Sequence, residues 1–519
     1  MTKESKNPNT SLAFKNSTFA MGTRVINMFI LFYLKTLFIR TLGIEYTGIS
    51  TLFTDILTIL SFAELGIGNA INFALYKPLI ERDTKKIAQL MNFYKMAYIV
   101  IGIVVIIIGI SIIPLLPFFV KDVPNIKENI VNIYLLYLFN TGISYFLVYR
   151  SSLLIANQES YKINIVEIIS SIIKALLGSI ALIIFKNFVL YLIIEISITL
   201  FGNILIYYKS SIEFPELKSN TEKLEKSEIL NLLKDVSALA LFQISNVVLK
   251  STDSIIISSF INTALVGFLG NYRLIITSID TIVKQITLAI TPSIGHLAIS
   301  HPKKMSESFY SLFFINYWIT IATTIPLYFL LSPFIELWLG TEFLMGKTII
   351  VLLIIDYFLV NIIRPVATFR TANGLFIQGK WRPLIMAILN IVLSLTLVNI
   401  IGIAGVLLGT IISRLITQVW FDPFIVYRHV LKEPYKNFIL LLLRYLIVAL
   451  VVFVSVYGLI DIVSIVFIQA NQLVYFSMIS LICIFVPTLL IWIIFKNKKE
   501  GEFAIDLIGK LKKRTGINK

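Results

Sequence analysis

Of 519 residues, 57% are hydrophobic and only 14% charged, and the mean hydropathy is +0.87. That is too little polar surface for a water-soluble chain of this length, so most of it must face lipid or the inside of a helical bundle. One cysteine, Cys483, and three histidines exclude a disulfide framework and argue against a thiolate or imidazole metal centre. The net charge of +16 would suit a nucleic-acid binder, but in so apolar a chain it is first a marker of topology.

Apolar runs of about 20 residues, enough for a helix to cross about 30 Å of hydrocarbon, recur along the whole chain. The start, MTKESKNPNTSLAFKN, has no short apolar core and no small-residue cleavage site, so the first run is expected to stay as an anchor. Six spans are predicted at 17–39, 49–75, 91–116, 131–149, 163–185 and 188–208. A charged linker over 209–234 follows, then six more at 235–260, 264–299, 307–332, 347–369, 383–400 and 402–427. Two extra spans, 437–460 and 473–495, precede a basic tail over 496–519. The fold class expected is therefore an all-α integral membrane protein of about 14 transmembrane helices.

The cations support this count. With the N-terminus inside, the outer loops hold only Arg40, Lys121, Lys127, Lys186 and Lys347, while the cytoplasmic segments carry most of the remaining lysines and arginines. That asymmetry is what the positive-inside rule demands, and it places both termini in the cytoplasm. In the tail, Phe503, Leu507, Ile508 and Leu511 fall on one helical face among lysines, which suits either an anionic leaflet or a solvated tail that only fixes topology.

An internal repeat adds to the picture. Gly48 and Gly267 are 219 positions apart, as are Pro114 and Pro333, and Ala156-Asn157 precedes Ala372-Asn373 by 216. The expected organisation is two pseudo-symmetric six-helix bundles, 1–208 and 235–428, joined by the linker 209–234, with two extra helices in 429–495 and the tail 496–519. Six is even, so both bundles enter from the same side, as in carriers built from parallel repeats.

Ten cations fall within or at the edges of spans: Arg24, Lys35, Lys95, Lys174, Lys250, Arg273, Lys284, Arg364, Arg414 and Arg444. Each costs roughly 2.5–3.5 kcal/mol at a helix centre. Lys35 and Lys95 lie near span ends and are expected to snorkel, and Arg414 and Arg444 to do the same or to bind lipid headgroups. Arg273, Asp280 and Lys284, seven and four residues apart, share one helical stripe with Thr277. Lys250 neighbours Asp253 at i,i+3, and Glu167 aligns with Lys174 at i,i+7. Such faces are expected to line a wet cavity rather than to meet lipid.

Asp55 and Glu64 sit in one predicted span, nine residues apart and so on opposite sides of the helix, which rules them out as a joint acid/base pair. Glu64 is a candidate proton or ion carrier, or an ion-pair partner for a cation such as Arg24. Asp55, Asp253, Asp280 and Asp356 are further ion-coupling or ion-pair candidates. Cations modestly outnumber mid-span acids, and a cationic cavity suits an anionic substrate such as a diphosphate.

The stretches RTLGIEYTG (40–48), AELGIGNAI (63–71) and YKPL (76–79) resemble the first-half signature of bacterial polysaccharide flippases of the Wzx type. These form the polysaccharide-transporter branch of the multidrug/oligosaccharidyl-lipid/polysaccharide exporter superfamily. STD (251–253) and VGFLGNY (266–272) resemble the same superfamily, and the likeness runs over nearly the whole chain. It implies translocation of a polyprenyl-diphosphate-linked oligosaccharide from the inner to the outer leaflet of the bacterial plasma membrane, for cell-envelope polysaccharide biosynthesis. Alternating access around a cationic cavity is implied as the mechanism. Arg24, Lys174, Lys250, Arg273, Lys284 and Arg364 would be the substrate-binding cations. Membrane lipids and the lipid-linked cargo are the expected partners, with a polysaccharide polymerase and glycosyltransferases beside them. No nucleic acid, cofactor, metal or catalytic residue is called for.

Two other readings remain open. A drug or cation exporter of the same superfamily would want acidic residues in the first span, where this chain has Arg24 and Lys35. A membrane-embedded polymerase or glycosyltransferase would want catalytic groups on a sizeable loop, and the outer loops here are short.

Overall fold

The computed structural model describes residues 8–61, 67–121, 126–215, 224–300, 305–375, 378–466 and 472–498, and all regular structure in them is helical. Among the described residues, eleven helices are long and apolar enough to cross a membrane, so the chain is a multi-pass membrane protein. Ile107, Leu176, Ile447, Ile465 and Phe485 are each at least 60% exposed, which water would penalise and lipid tails do not. The chain separates into two compact units, Met1–Phe268 and Leu269–Lys519.

The first unit begins with α1 (Pro8–Leu42), α2 (Ile44–Leu60), α3 (Ile67–Glu81), α4 (Thr84–Ile112) and the short α5 (Leu116–Phe119). It continues through α6 (Ile130–Val148), α7 (Ser151–Ala156), α8 (Ser160–Ile183), α9 (Phe188–Glu213) and α10 (Lys226–Phe260) into the first turn of α11 (Thr263–Ser300). Short polar side chains start several helices. Asp83, Asn129 and Asn187 accept hydrogen bonds from the amides of Lys86, Val131 and Leu190, satisfying donors that a helix start leaves open. Helix α1 packs on α8, α8 on α9, α6 on α4 and α9, and α10 on α2 and α3. Phe38, Tyr46, Phe188 and Tyr191 lock edge to face in its core.

The predicted span 49–75 is carried by two helices, α2 and α3. Glu64 and Gly66 lie between them, outside the described residues. Most of the basic tail and the middle of the linker, 216–223, also lie outside them.

The second unit contains the rest of α11, then α12 (Met305–Leu339), α13 (Lys347–Ile362), α14 (Arg364–Ala372), α15 (Arg382–Ile401) and α16 (Ile403–Val426). A π-helical turn extends α16 to Leu431 before α17 (Lys436–Val466) and α18 (Gln472–Phe495). Helix α12 is its spine and touches α13, α14, α17 and α18. Tyr317 of α12 stacks on Tyr445 of α17, with centroids 4.3 Å apart, and donates its hydroxyl hydrogen to the Tyr445 carbonyl at 2.9 Å. The predicted spans 383–400 and 402–427 are α15 and α16, parted by Gly402 alone. Its φ of 60° and ψ of −137° form a corner that a side chain would strain.

Candidate functional site: charged and polar groups within the helical units

In the first unit, Arg24 is exposed on α1, within electrostatic reach of Glu167 on α8. Lys174, also on α8, forms its ion pair with Glu195 of α9 rather than with Glu167 on its own helix. Asp55 of α2 accepts a hydrogen bond from Ser251 of α10 at 3.4 Å, and Asp253, two residues on and so on the opposite side of α10, is buried. The backbone of Lys250 is helical; its side chain lies outside the described residues.

Beside the Lys174–Glu195 pair, α2, α6 and α9 leave a cavity of about 330 Å³ lined by Thr54, Thr58, Ser61, Tyr137, Asn140 and Glu195 among others. Residue-by-residue reading of the sequence misses it, because isolated hydroxyl residues in apolar helices usually bond their own backbone.

In the second unit, Arg364 donates to Asp280 of α11 at 2.5 Å and to the side-chain oxygen of Asn361 at 2.9 Å. Asn361 donates to the same Asp280 oxygen at 3.1 Å, so the two charges singled out in the sequence close a triangle with it. The triangle sits where α13 stops and α14 starts. Pro365 has no N–H to give the Asn361 carbonyl, and the side chain of Asn316 on α12 supplies that donor at 2.7 Å. Sequence reading overlooked Asn316, whose role depends on a proline 49 residues away.

Arg414, expected to reach headgroups, instead donates to Asp356 of α13 at 2.8 Å and to Gln418 at 3.1 Å. The reason is local: α13 and α16 pack together, and a largely covered guanidinium takes a carboxylate within reach. Nearby, Asp422 receives Arg370 and lies 3.3 Å from Arg382, so two nearly buried guanidiniums share one buried carboxylate. Arg370 also holds the carbonyls of Leu375 and Gln378, pinning the turn before α15. On α11, Arg273 is partly exposed and Lys284 exposed, with Thr277 between them. No cluster of metal-ligating side chains occurs among the described residues.

The fold as a whole is similar to known transporter structures. A lipid II flippase, MurJ, in an inward closed conformation matches over 93% of this chain and 99% of its own, with 16% identity and a TM-score of 0.67. A MATE transporter from Vibrio cholerae, VcmN, in a mutant form, matches over 82% and 98%, at 14% identity and a TM-score of 0.57. An inward-facing multidrug resistance MATE family transporter of the MOP superfamily matches over 75% and 91%, at 13% and 0.56. At such identities the likeness establishes the fold. No protein-family profile matches the chain, and no curated protein sequence does.

Proposed function

We propose that this protein is a flippase that moves a polyprenyl-diphosphate-linked oligosaccharide from the inner to the outer leaflet of a bacterial plasma membrane by alternating access, for export of a cell-surface polysaccharide. The observation that carries the reading is the fold shared with a lipid II flippase over 93% of the chain. The intramembrane cations agree with an anionic cargo. Arg24 and Lys284 are exposed, and Arg273 partly so, and we assign these three to the diphosphate or to acidic sugars. Lys174 and Arg364 are held in ion pairs, so their part in cargo binding requires exchange of partners. Asp55, Asp253, Asp280 and Asp356 then serve mainly to orient helices, with both termini in the cytoplasm.

The test is translocation in proteoliposomes. A fluorescent polyprenyl-diphosphate oligosaccharide is reconstituted with the full chain, and exposure of label to a membrane-impermeant quencher is followed. Protein-dependent flipping is expected. Its absence across several lipid-linked sugars, with and without ion gradients, rejects the proposal. The MATE likeness keeps a drug exporter as the second reading, which requires efflux of a cationic dye by the same vesicles.

A further inference from the structure

The cavity among α2, α6 and α9 has a wall whose chemistry can be read group by group. Thr54, Thr58 and Ser61 already donate their hydroxyl hydrogens to the carbonyls of Ser50, Thr54 and Leu57, at 2.7, 2.7 and 2.8 Å. What they turn to the cavity is oxygen lone pairs. The side-chain oxygen of Asn140 is buried and has no hydrogen-bond partner, a costly state that a donor would relieve. Glu195 adds a carboxylate to the same wall. Most of these groups accept, while the amide nitrogen of Asn140 and the hydroxyl of Thr141 can donate, so the cavity calls for a ligand that donates several hydrogen bonds and can accept one or two.

Charge decides which donor. An anion is disfavoured where acceptors predominate and the one charged side chain of the wall is the Glu195 carboxylate. A cation would approach a carboxylate already matched by the ammonium of Lys174 and would be repelled by that ammonium. A neutral ligand rich in hydroxyls meets neither objection. The volume, about 330 Å³, is at the lower end of the roughly 300–1,000 Å³ typical of small-molecule sites, room for a ring rather than a chain. The ring of Tyr137, fixed by the 2.6 Å hydrogen bond between its hydroxyl and Ser50, offers an apolar surface for the C–H face of such a ring.

We propose that this cavity is a subsite for one neutral sugar ring. It deepens the flippase reading by giving part of the glycan its own contact, apart from the cations, and rests on that reading only for where the sugar comes from.

Saturation-transfer NMR on the full chain, in a detergent without sugar headgroups, tests it with glucose, galactose and N-acetylglucosamine as probes. At least one should receive saturation from the wild type, and affinity should fall about fivefold, the worth of one hydrogen bond, in Asn140→Leu and in Thr58→Val. The threonine variant keeps its shape, so a folding failure of the asparagine variant does not decide the matter. Transfer to none of the three sugars, or transfer undiminished in both variants, overturns the subsite. So does a rise in melting temperature with sodium chloride that both variants abolish, which would make the cavity a cation site. Translocation assayed alongside separates the two ideas. Flipping without cavity-dependent sugar binding sinks the subsite alone, whereas sugar binding without flipping supports the subsite and counts against the flippase.

Discussion

Gly48 of α2 and Gly267 in the first turn of α11 meet where these two helices touch backbone to backbone. A Cβ on Gly267 would stand 2.8 Å from the carbonyl oxygen of Ile44 and 2.9 Å from the amide nitrogen of Gly48, and one on Gly48 would fall on the Thr263 carbonyl. Small residues allow such approach inside membranes, where no hydrophobic force pulls helices together and close contact must do so.

Gly48→Ala is therefore expected to destabilise the protein by about 1–3 kcal/mol, the usual cost of overpacking against atoms that cannot yield. Gly22, in α1, has nothing within 4 Å of where its Cβ would sit, so Gly22→Ala should be neutral or stabilising by up to about 1 kcal/mol. Thermal unfolding of both variants in detergent checks the contrast. Equal melting temperatures for the two would mean that the backbones part easily at the contact.

The helix break at Pro365 supplies a second expectation. Asn316→Leu leaves the Asn361 carbonyl with the amide of Ile363 but without the side-chain donor that replaces the missing N–H, at a cost of about 0.5–1.5 kcal/mol. In a Pro365→Ala background an amide returns at position 365, and the same leucine substitution should cost clearly less. A double-mutant cycle of unfolding free energies reads this coupling, and strict additivity would remove Asn316 from its capping role.

How much of this was legible in the chain depends on range. Most spans declare themselves because lipid-facing helices are apolar on nearly every side, whereas the corner at Gly402 shows in the sequence only as a one-residue gap at Ile401. The stripe of Arg273, Asp280 and Lys284 follows from the helical period alone. Partner choice does not. Arg364 and Asp280 are both recognisable as intramembrane charges, yet nothing in their spacing says that they meet across 84 positions. Lys174 has a plausible neighbour at i,i+7 on its own helix, and tertiary packing hands it Glu195 instead. The break after α13 is hidden because apolar residues continue on both sides of Pro365. The acceptor-lined cavity is hidden because its wall comes from three helices at once.

Asp422 carries the electrostatics of its corner. Its carboxylate is the counter-ion in contact with Arg370 and Arg382, whose side chains are 5% and 11% exposed. Asp422→Ala should cost about 3–5 kcal/mol, because breaking a buried pair strands the remaining charge. Asp422→Ala combined with Arg370→Met should recover part of that loss. Melting temperatures of the single and double variants provide the check, and a double variant no better than the single would show that Arg370 matters through the Leu375 and Gln378 carbonyls instead.

A pH dependence follows from Glu433, in the loop between α16 and α17. Desolvation pushes its carboxyl upward, but hydrogen bonds from Ser306, Tyr310 and Asn437 outweigh this and hold it below its ordinary value of 4.5. The folded state thus prefers the ionised form more than the unfolded chain does. That contribution to stability is present above the ordinary value and is lost as the pH falls below it through the folded one. Melting temperature measured toward acid should drop less steeply in Glu433→Gln than in the wild type. Parallel curves would mean that these hydrogen bonds do not favour the charged carboxylate.

Transport itself gives the last expectation, at Arg24. A guanidinium exposed midway along α1 can offer two parallel donors to a phosphate, whereas an ammonium offers a point charge on a flexible stem. If Arg24 meets the diphosphate, Arg24→Ala should slow flipping by roughly 10- to 150-fold, the equivalent of a charge-assisted hydrogen bond worth about 1.5–3 kcal/mol. Arg24→Lys, keeping the charge and losing the fork, should fall between. The measurement is the initial rate of quencher accessibility at fixed protein content, with melting temperature confirming that both variants fold. Because Glu167 lies within electrostatic reach of Arg24, a purely structural role would lower the melting temperature of Arg24→Ala and leave the rate per folded molecule unchanged. Equal rates for the alanine and lysine variants would take Arg24 out of cargo binding and shift the assignment to Arg273 and Lys284 on α11.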